Sequence, residues 1–240
     1  MNVDLNSFEL KVGDQTVERI GTGCKQTYFK FVGLLLDEYL TWDSHINNVH
    51  GKLAAGNFAI NSAKNFLPLQ IRKTLYNSLF KSHLEYGILA WGGVSQNKLK
   101  GINNLQKKCI RNVANKPKLS HTDPIFSSLN ILKLPDIFKY VSLVFMHNFA
   151  FCRLPHSFDN MFQPLGVNNR TGNYQLIKYK SNLFDKFPSV FLPKIWNQNS
   201  ASIKHCTTSS TLKTLLSDIL ISKYNTSEKC NYISCPDCKT

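Results

Sequence analysis

NFLPLQIRKTLYNSLFKSHLEYGILAWGGVSQNKLKGINNLQKKCIR, residues 65–111, holds two helical patterns separated by a glycine pair. In the first, Ile71, Leu75, Leu79, Leu84, Ile88 and Trp91 recur at intervals of three to five, the stripe of a helix with one face in a core. Pro68 stands just ahead of it, where a missing N–H costs least. Gly92-Gly93 is expected to supply the positive φ that closes it. The second pattern starts near Lys98 and turns Leu99, Ile102, Leu105, Cys109, Ile110 and Val113 inward. Its other face carries Lys100, Lys107 and Arg111 at spacings of seven and four, with Lys108 beside them. A cationic row opposite a core can meet several phosphates without reading sequence; the alternative is a plain solvated face.

Toward the N-terminus, Thr41 or Asp43 can cap a helix over 44–64 with Ile46, Val49, Leu53 and Ile60 inward. Three amphipathic helices with short connections predict an antiparallel three-helix bundle. His45 and Lys52, seven apart on the first helix, form a second candidate patch for a polyanion, set against an exposed helix surface. Residues 7–12 alternate as a half-buried strand and turn at Gly13-Asp14 into 15–20. TYFKFVGLLLD at 27–37 is apolar on both faces: a strand buried on two sides, or two short strands bent at Gly33. Gly21-x-Gly23 lacks the third glycine of a dinucleotide fingerprint.

Toward the C-terminus, Pro117 ends the bundle, and Thr122 or Asp123 with Pro124 opens a short helix. Pro135 opens another to about 149, apolar nearly all round and hence buried. Residues 154–181 read as loop, and 184–195, FDKFPSVFLPKI, as a broken strand-like stretch. A last helix over 211–224, with Leu212, Leu215, Leu216, Ile219 and Leu220, is capped by Ser209 or Ser210. The fold class is therefore mainly α with a small N-terminal β element, a three-helix bundle and a helical C-terminal extension with a few short strands.

The composition, 42% hydrophobic and 18% charged over 240 residues, is globular. Lys and Arg number 29 against 15 Asp and Glu, a net charge of +14, which points to a polyanionic partner, nucleic acid before an anionic membrane. Apolar runs such as 31–36 are too short to span a bilayer, and the N-terminus lacks the basic start of a signal peptide. Seven scattered cysteines then suggest reduced thiols and an intracellular protein of cytoplasm or nucleus. Nucleophile elbow, zinc-protease and P-loop motifs are absent from the sequence. Cys230-x4-Cys235-x2-Cys238 has the spacing of a zinc site, with His205, Cys206 or a second chain as fourth ligand; free thiols are the alternative. Tyr76, Tyr86 and Trp91 suit base stacking in type, but their place on an apolar stripe fits core packing better.

Taken in order, FKFVGLLLDEYLTWDSHI, LYNSLFKSHLEYGILAWGG, LQKKCIRNV and LNILKLPDIFKY resemble the C-terminal part of reverse transcriptases from non-LTR retrotransposons (LINEs of the jockey type). The likeness runs from about residue 8 to 224 and lies in order and spacing rather than in one motif. It implies that residues 1–42 end a polymerase palm, with Phe29, Lys30, Phe31, Val32 and Gly33 as the primer grip. It likewise implies a thumb at 43–118 packed against a template–primer duplex, and a C-terminal region at 119–240. Pro193-Lys-Ile-Trp-Asn197 matches a recurrent block of the family, although Leu192 stands where Gly is usual and Gln198-Asn199 where Leu-Pro is usual. The implied partners are RNA and RNA–DNA or DNA duplexes, met through Lys100, Lys107, Lys108, Arg111, Lys52 and His45.

The family's palm holds two divalent metals on carboxylates that include an Asp-Asp pair, and no such pair occurs here. No catalytic residue is therefore expected in this chain, and no cofactor beyond zinc at the Cys tail; Mg²⁺ belongs to the parent polymerase. A second function class is a non-enzymatic helical module, or a non-functional relic, derived from such an element. Cut from its palm and fingers, such a chain should expose apolar surface near 29–36 and so dimerise or aggregate.

Overall fold

The computed structural model describes residues 10–17, 20–21, 24, 26–166, 172–178 and 187–225. The fold is mainly α with a small N-terminal β element. Two compact units, Met1–Asn47 and Asn48–Thr240, make up the chain.

In the first unit, β1 (Leu10–Val12) pairs antiparallel with β2 (Gln15–Val17) across Gly13-Asp14. A second hairpin joins β3 (Tyr28–Phe31) to β4 (Leu34–Asp37), with Val32 and Gly33 at φ 43° and 80°. Residues 27–37 are thus two strands bent at Gly33 and not one strand buried on both sides. Each strand's ladder partner is the other, and among the described residues β3 is left open: Phe29, Phe31 and Val32 are exposed, and β4 is half-buried. The Asp37 carboxylate closes the unit locally. It accepts the N–H groups of Tyr39, Thr41 and Trp42 at 3.2, 2.8 and 2.8 Å, which gathers the chain into α1 (Asp43–Ala63).

The second unit begins within α1, whose Val49, Leu53 and Ile60 are buried as their spacing predicts. After α1 come α2 (Leu69–Tyr76), a π-helical turn (Asn77–Lys81), α3 (Ser82–Glu85), α4 (Ile88–Trp91) and α5 (Gln96–Ala114). The buried stripe here is Arg72, Tyr76, Phe80, Leu84, Ile88 and Trp91; Ile71 and Leu79, expected inward, are exposed. A spacing of four overshoots the 3.6-residue turn by about 40° at each step. The wider π turn absorbs that drift, so a stripe that fails on an ideal helix works on this one. The left-handed break also lies elsewhere than expected. Gly87 has φ 61°, whereas Gly92 is right-handed at −69°. Gly92 is there for space, since a Cβ would stand 2.5 Å from Phe138 Cδ2.

Polar residues knit the bundle together. Buried Gln106 donates its Nε2 to Tyr76 Oη and to the Leu132 carbonyl, both at 3.0 Å, and its Oε1 accepts the Leu134 N–H at 2.9 Å. Asn112 Nδ2 donates to Asn57 Oδ1 at 2.8 Å, tying α5 to α1.

Beyond Pro117 lie α6 (Asp123–Ser128) and α7 (Leu134–Ala150), then a 3₁₀ turn (His156–Phe158), α8 (Pro188–Asn197), α9 (Ala201–Lys204) and α10 (Ser209–Asn225). Apolar α7 packs on α8, α10, α4 and α3, burying Leu143 and Met146 against Phe191, Leu192, Trp196, Leu212 and Leu216. The strand-like reading of 184–195 is overturned from Pro188 onward, where α8 forms. Pro188 sits in its first turn, and burial of Val190, Phe191, Leu192 and Trp196 carries the helix through Pro193. The cap of α10 is Thr208 instead of Ser209 or Ser210; its Oγ1 accepts the Thr211 N–H at 3.2 Å.

The Trp-Asn pair of α8 fastens the loop that precedes it. Trp196 Nε1 donates to the Gly172 carbonyl at 2.8 Å, and the Asn197 amide exchanges two bonds with the Tyr174 backbone at 2.9 and 2.8 Å. At the far end of the chain, Tyr224 Oη donates to Asp136 Oδ2 at 2.5 Å and accepts the Lys133 N–H at 3.0 Å. Among the described residues, no helix is long and apolar enough to cross a membrane.

Candidate nucleic-acid interface

The three-helix bundle fixes which cations can act together. Two antiparallel steps leave the first and third helices running the same way: Gly101 lies beside His50, and Asn112 bonds Asn57. Between their C-terminal halves opens a groove of about 870 Å³. From α1 it is lined by Ala54, Asn57, Phe58 and Asn61, and from the residue just past its end by Lys64, at intervals of one to three residues. From α5 come Leu105, Lys108, Arg111 and Asn112, and the turn beyond adds Lys116, Pro117 and Lys118. Five side chains of this lining are cationic, and none of the described lining residues is Asp or Glu. Like charges gathered over low-dielectric walls raise a local positive potential that a polyanion relieves.

Arg111 is the most constrained of the five. Its Nε donates to the Ser120 carbonyl at 2.8 Å, so the guanidinium is anchored to the turn after α5. It also borders a second hollow of about 390 Å³, lined in part by Lys107, His121, Asp123 and Lys133. There Lys133 pairs with Asp123 at 2.9 Å, so the charge of that hollow is partly cancelled.

The sequence-predicted residues fall into four groups. Lys107, Lys108 and Arg111 lie on the outward side of α5, with Lys108 and Arg111 in the larger groove and Lys107 in the smaller hollow. Lys100 and Lys52 are exposed but line neither. His45 does not face outward at all. It is 2% exposed, its ring meets Trp42 edge-on, and its Nδ1 accepts the Leu35 N–H at 3.4 Å. Seven-residue spacing drifts by about 20° per heptad, and the inward stripe of α1 is wide enough to take His45 in. The hairpin residues Phe29, Lys30, Phe31, Val32 and Gly33 sit together in the first unit.

Of the three aromatics weighed for stacking, Tyr76 and Trp91 are buried and Tyr86 is exposed. Tyr86 ends α3 just before the Gly87 break, and its carbonyl accepts from Trp91 Nε1 at 3.0 Å. Lys64, Lys116, Lys118 and Phe58 escaped the sequence reading. Their signal was present as Lys-Pro-Lys directly after a basic helix, but pairing it with α1 needed the bundle. Cys230, Cys235 and Cys238 lie outside the described residues; among those described, no cluster of His, Cys, Asp or Glu could hold a metal.

Neither a family model nor a solved structure matches the chain. Sequence relatives do. The RNA-directed DNA polymerase from mobile element jockey of Drosophila melanogaster is 29% identical over 122 residues, 49% of this chain and 13% of that protein. Its Drosophila funebris counterpart is 26% identical over 117 residues, 48% of this chain and 13% of that protein. A probable RNA-directed DNA polymerase from the Drosophila melanogaster transposon X-element is 28% identical over 85 residues, 34% of this chain and 9% of its own length. The chain thus matches a small part of each of these proteins, and over about half its own length it carries a region related to the reverse transcriptases of non-LTR mobile elements.

Proposed function

We propose that this chain is the C-terminal part of a non-LTR reverse transcriptase and that its own contribution is to hold nucleic acid by the backbone in the α1/α5 groove. Residues 1–42 then end the palm, 43–118 serve as the thumb, and 119–240 form a C-terminal extension. Template and primer are the ligands, and polymerisation with Mg²⁺ is the work of a palm carrying the Asp-Asp pair. The observation that supports this reading is the groove itself, five cations with no described carboxylate among them. Phosphate contacts of that kind position a strand without reading its bases.

The test is salt dependence. If all five cations neutralise phosphates, log K for a B-form duplex should fall against log salt with a slope of about −4.5. Reversing Lys108, Lys116 and Lys118 to Glu, with Arg111 left in place because it anchors Ser120, should flatten the slope to about −2. Fluorescence anisotropy on a labelled duplex reads both. A slope that ignores these three but flattens with Lys100→Glu and Lys52→Glu would move the interface off the groove and sink the proposal. The exposed apolar hairpin at Phe29, Phe31 and Val32 supports a second reading, a helical interaction module that docks or self-associates through that surface.

A further inference from the structure

The groove contains something that backbone binding does not need. Phe58 lies in the lining between Asn57 and Asn61, and it is 72% exposed. A phenylalanine turned to water among five cations gains nothing from burial in the fold and offers no hydrogen bond to a phosphate. What it offers is a flat apolar face, and in a nucleic acid the complementary face is that of an unpaired base. In a duplex those faces are already stacked on one another; in a single strand they are open. The cations supply the second half of such a site, because single-strand binders combine a positive groove along the backbone with aromatic platforms for bases.

We infer that the groove takes a single-stranded segment of nucleic acid, with Phe58 as the stacking platform for one base and Lys108, Arg111, Lys116 and Lys118 along its phosphates. This rests on the backbone-binding reading and narrows its ligand from nucleic acid in general to an unpaired strand. Phe66 provides an internal control: it is 84% exposed but does not line the groove.

The full chain would be titrated against a fluorescein-labelled 12-nucleotide oligouridine and, separately, a blunt 12-base-pair duplex, at one salt concentration and then across a salt series. Phe58→Ala should weaken the single strand about tenfold, about 1.4 kcal/mol, and leave the duplex within twofold. Its salt slope should equal that of the parent protein, because stacking releases no counterions. Phe58→Trp should keep the affinity, and its added fluorescence should be quenched by the oligouridine. Phe66→Ala should change neither ligand. Equal weakening of both ligands by Phe58→Ala, or no weakening of either, would overturn the stacking site. In that event a slope still flattened by the Lys108, Lys116 and Lys118 reversals leaves backbone binding standing. If the parent protein binds neither ligand with a salt-dependent slope, both readings fall.

Discussion

Removing the Gln106 amide should cost this fold a large share of its stability. Gln106 is 1% exposed and its side chain serves three groups from three segments: the Tyr76 hydroxyl on α2, the Leu132 carbonyl and the Leu134 N–H at the start of α7. In Gln106→Ala all three lose that partner inside the protein. A buried polar group left without a partner costs about 1–3 kcal/mol. Three of them come to about 3–6 kcal/mol once some relaxation and an entering water are allowed, against a total of about 5–15 kcal/mol for an ordinary domain. Gln106→Glu separates the amide's roles. Its carboxylate can still accept from Leu134 N–H and Tyr76 O–H, but it faces the Leu132 carbonyl with negative charge and is desolvated. Both effects raise its folded pKa above the unfolded value of about 4.3. The stability contributed by its protonation is therefore fully present below that unfolded value and is lost as pH rises through the folded one. Urea titrations followed by far-UV circular dichroism at pH 5 and pH 8 would read this. Gln106→Ala should show a deficit that does not change with pH, and Gln106→Glu a deficit that grows from pH 5 to pH 8. If Gln106→Ala lies within 1 kcal/mol of the parent protein, the three contacts are not holding α2, α5 and α7 together, and the reasoning fails.

Two further outcomes follow from burial. Tyr76, Tyr224 and Cys109 all have pKa values pushed up, chiefly by burial, with the Asp136 carboxylate adding to the effect at Tyr224. Their neutral forms stabilise the fold fully below the unfolded values, about 8.5 for Cys and about 10 for Tyr, and that contribution is lost as pH rises beyond them. The melting temperature should hold to about pH 8 and then fall toward pH 11, with the onset delayed by Cys109→Ala; a melting temperature flat to pH 11 would refute it. The glycines of α1 should behave in opposite ways. At Gly51 a Cβ meets nothing within 4 Å, so Gly51→Ala should stabilise by about 1 kcal/mol. At Gly56 it would stand 2.7 Å from the Leu79 carbonyl oxygen, so Gly56→Ala should destabilise by about 1–3 kcal/mol, and equal effects in thermal melts would count against that close approach.

The parts of the fold legible in the sequence are those where a regular helix meets a single core. The bounds of α1, α5 and α7 follow from 3.6-residue periodicity, as do inward residues of α1 and α5 such as Leu53 and Ile102; α7, apolar nearly all round, shows no inward stripe in sequence, and packing selects Leu143 and Met146. Legibility stops where geometry departs from the ideal period. In α2 and the π turn the expected stripe, Ile71, Leu75 and Leu79, lies one residue out of phase with the buried Arg72, Tyr76 and Phe80, because the π turn at Asn77–Lys81 leaves no mark in residue type; from Leu84 onward the two agree. The stretch 184–195 reads as broken and strand-like because a proline such as Pro193 usually forbids a helix interior; Pro188 is tolerated in the first turn of α8, and burial against α7 overrides Pro193. The candidate site divides in the same way. Lys107, Lys108 and Arg111 were visible as a run on one helix. Lys64 and Phe58 became part of a site only when α1 was laid beside α5, a relation set by long-range packing.

That packing also separates the cations the fold explains from those it does not. Helices α1 and α5 run in the same direction, so both of their negative dipole ends lie at one end of the groove, next to Lys64 and Lys116. A lysine in or just past a last helical turn complements that dipole by a few tenths of a kcal/mol, which is reason enough for those two without any ligand. Arg111 has a structural duty as well, through Ser120. Lys108 stands a turn and a half before the end of α5, and Lys118 lies beyond the helix in the Lys-Pro-Lys turn; no described carboxylate lines the groove beside either. Held beside three other cations, these two add repulsion to the folded state. Water and counterions screen most of that repulsion between exposed side chains, and a bound polyanion would relieve the remainder; with no duty in the fold to account for them, Lys108 and Lys118, more than the longer row of basic residues on α5, carry the case for a nucleic-acid strand in this groove.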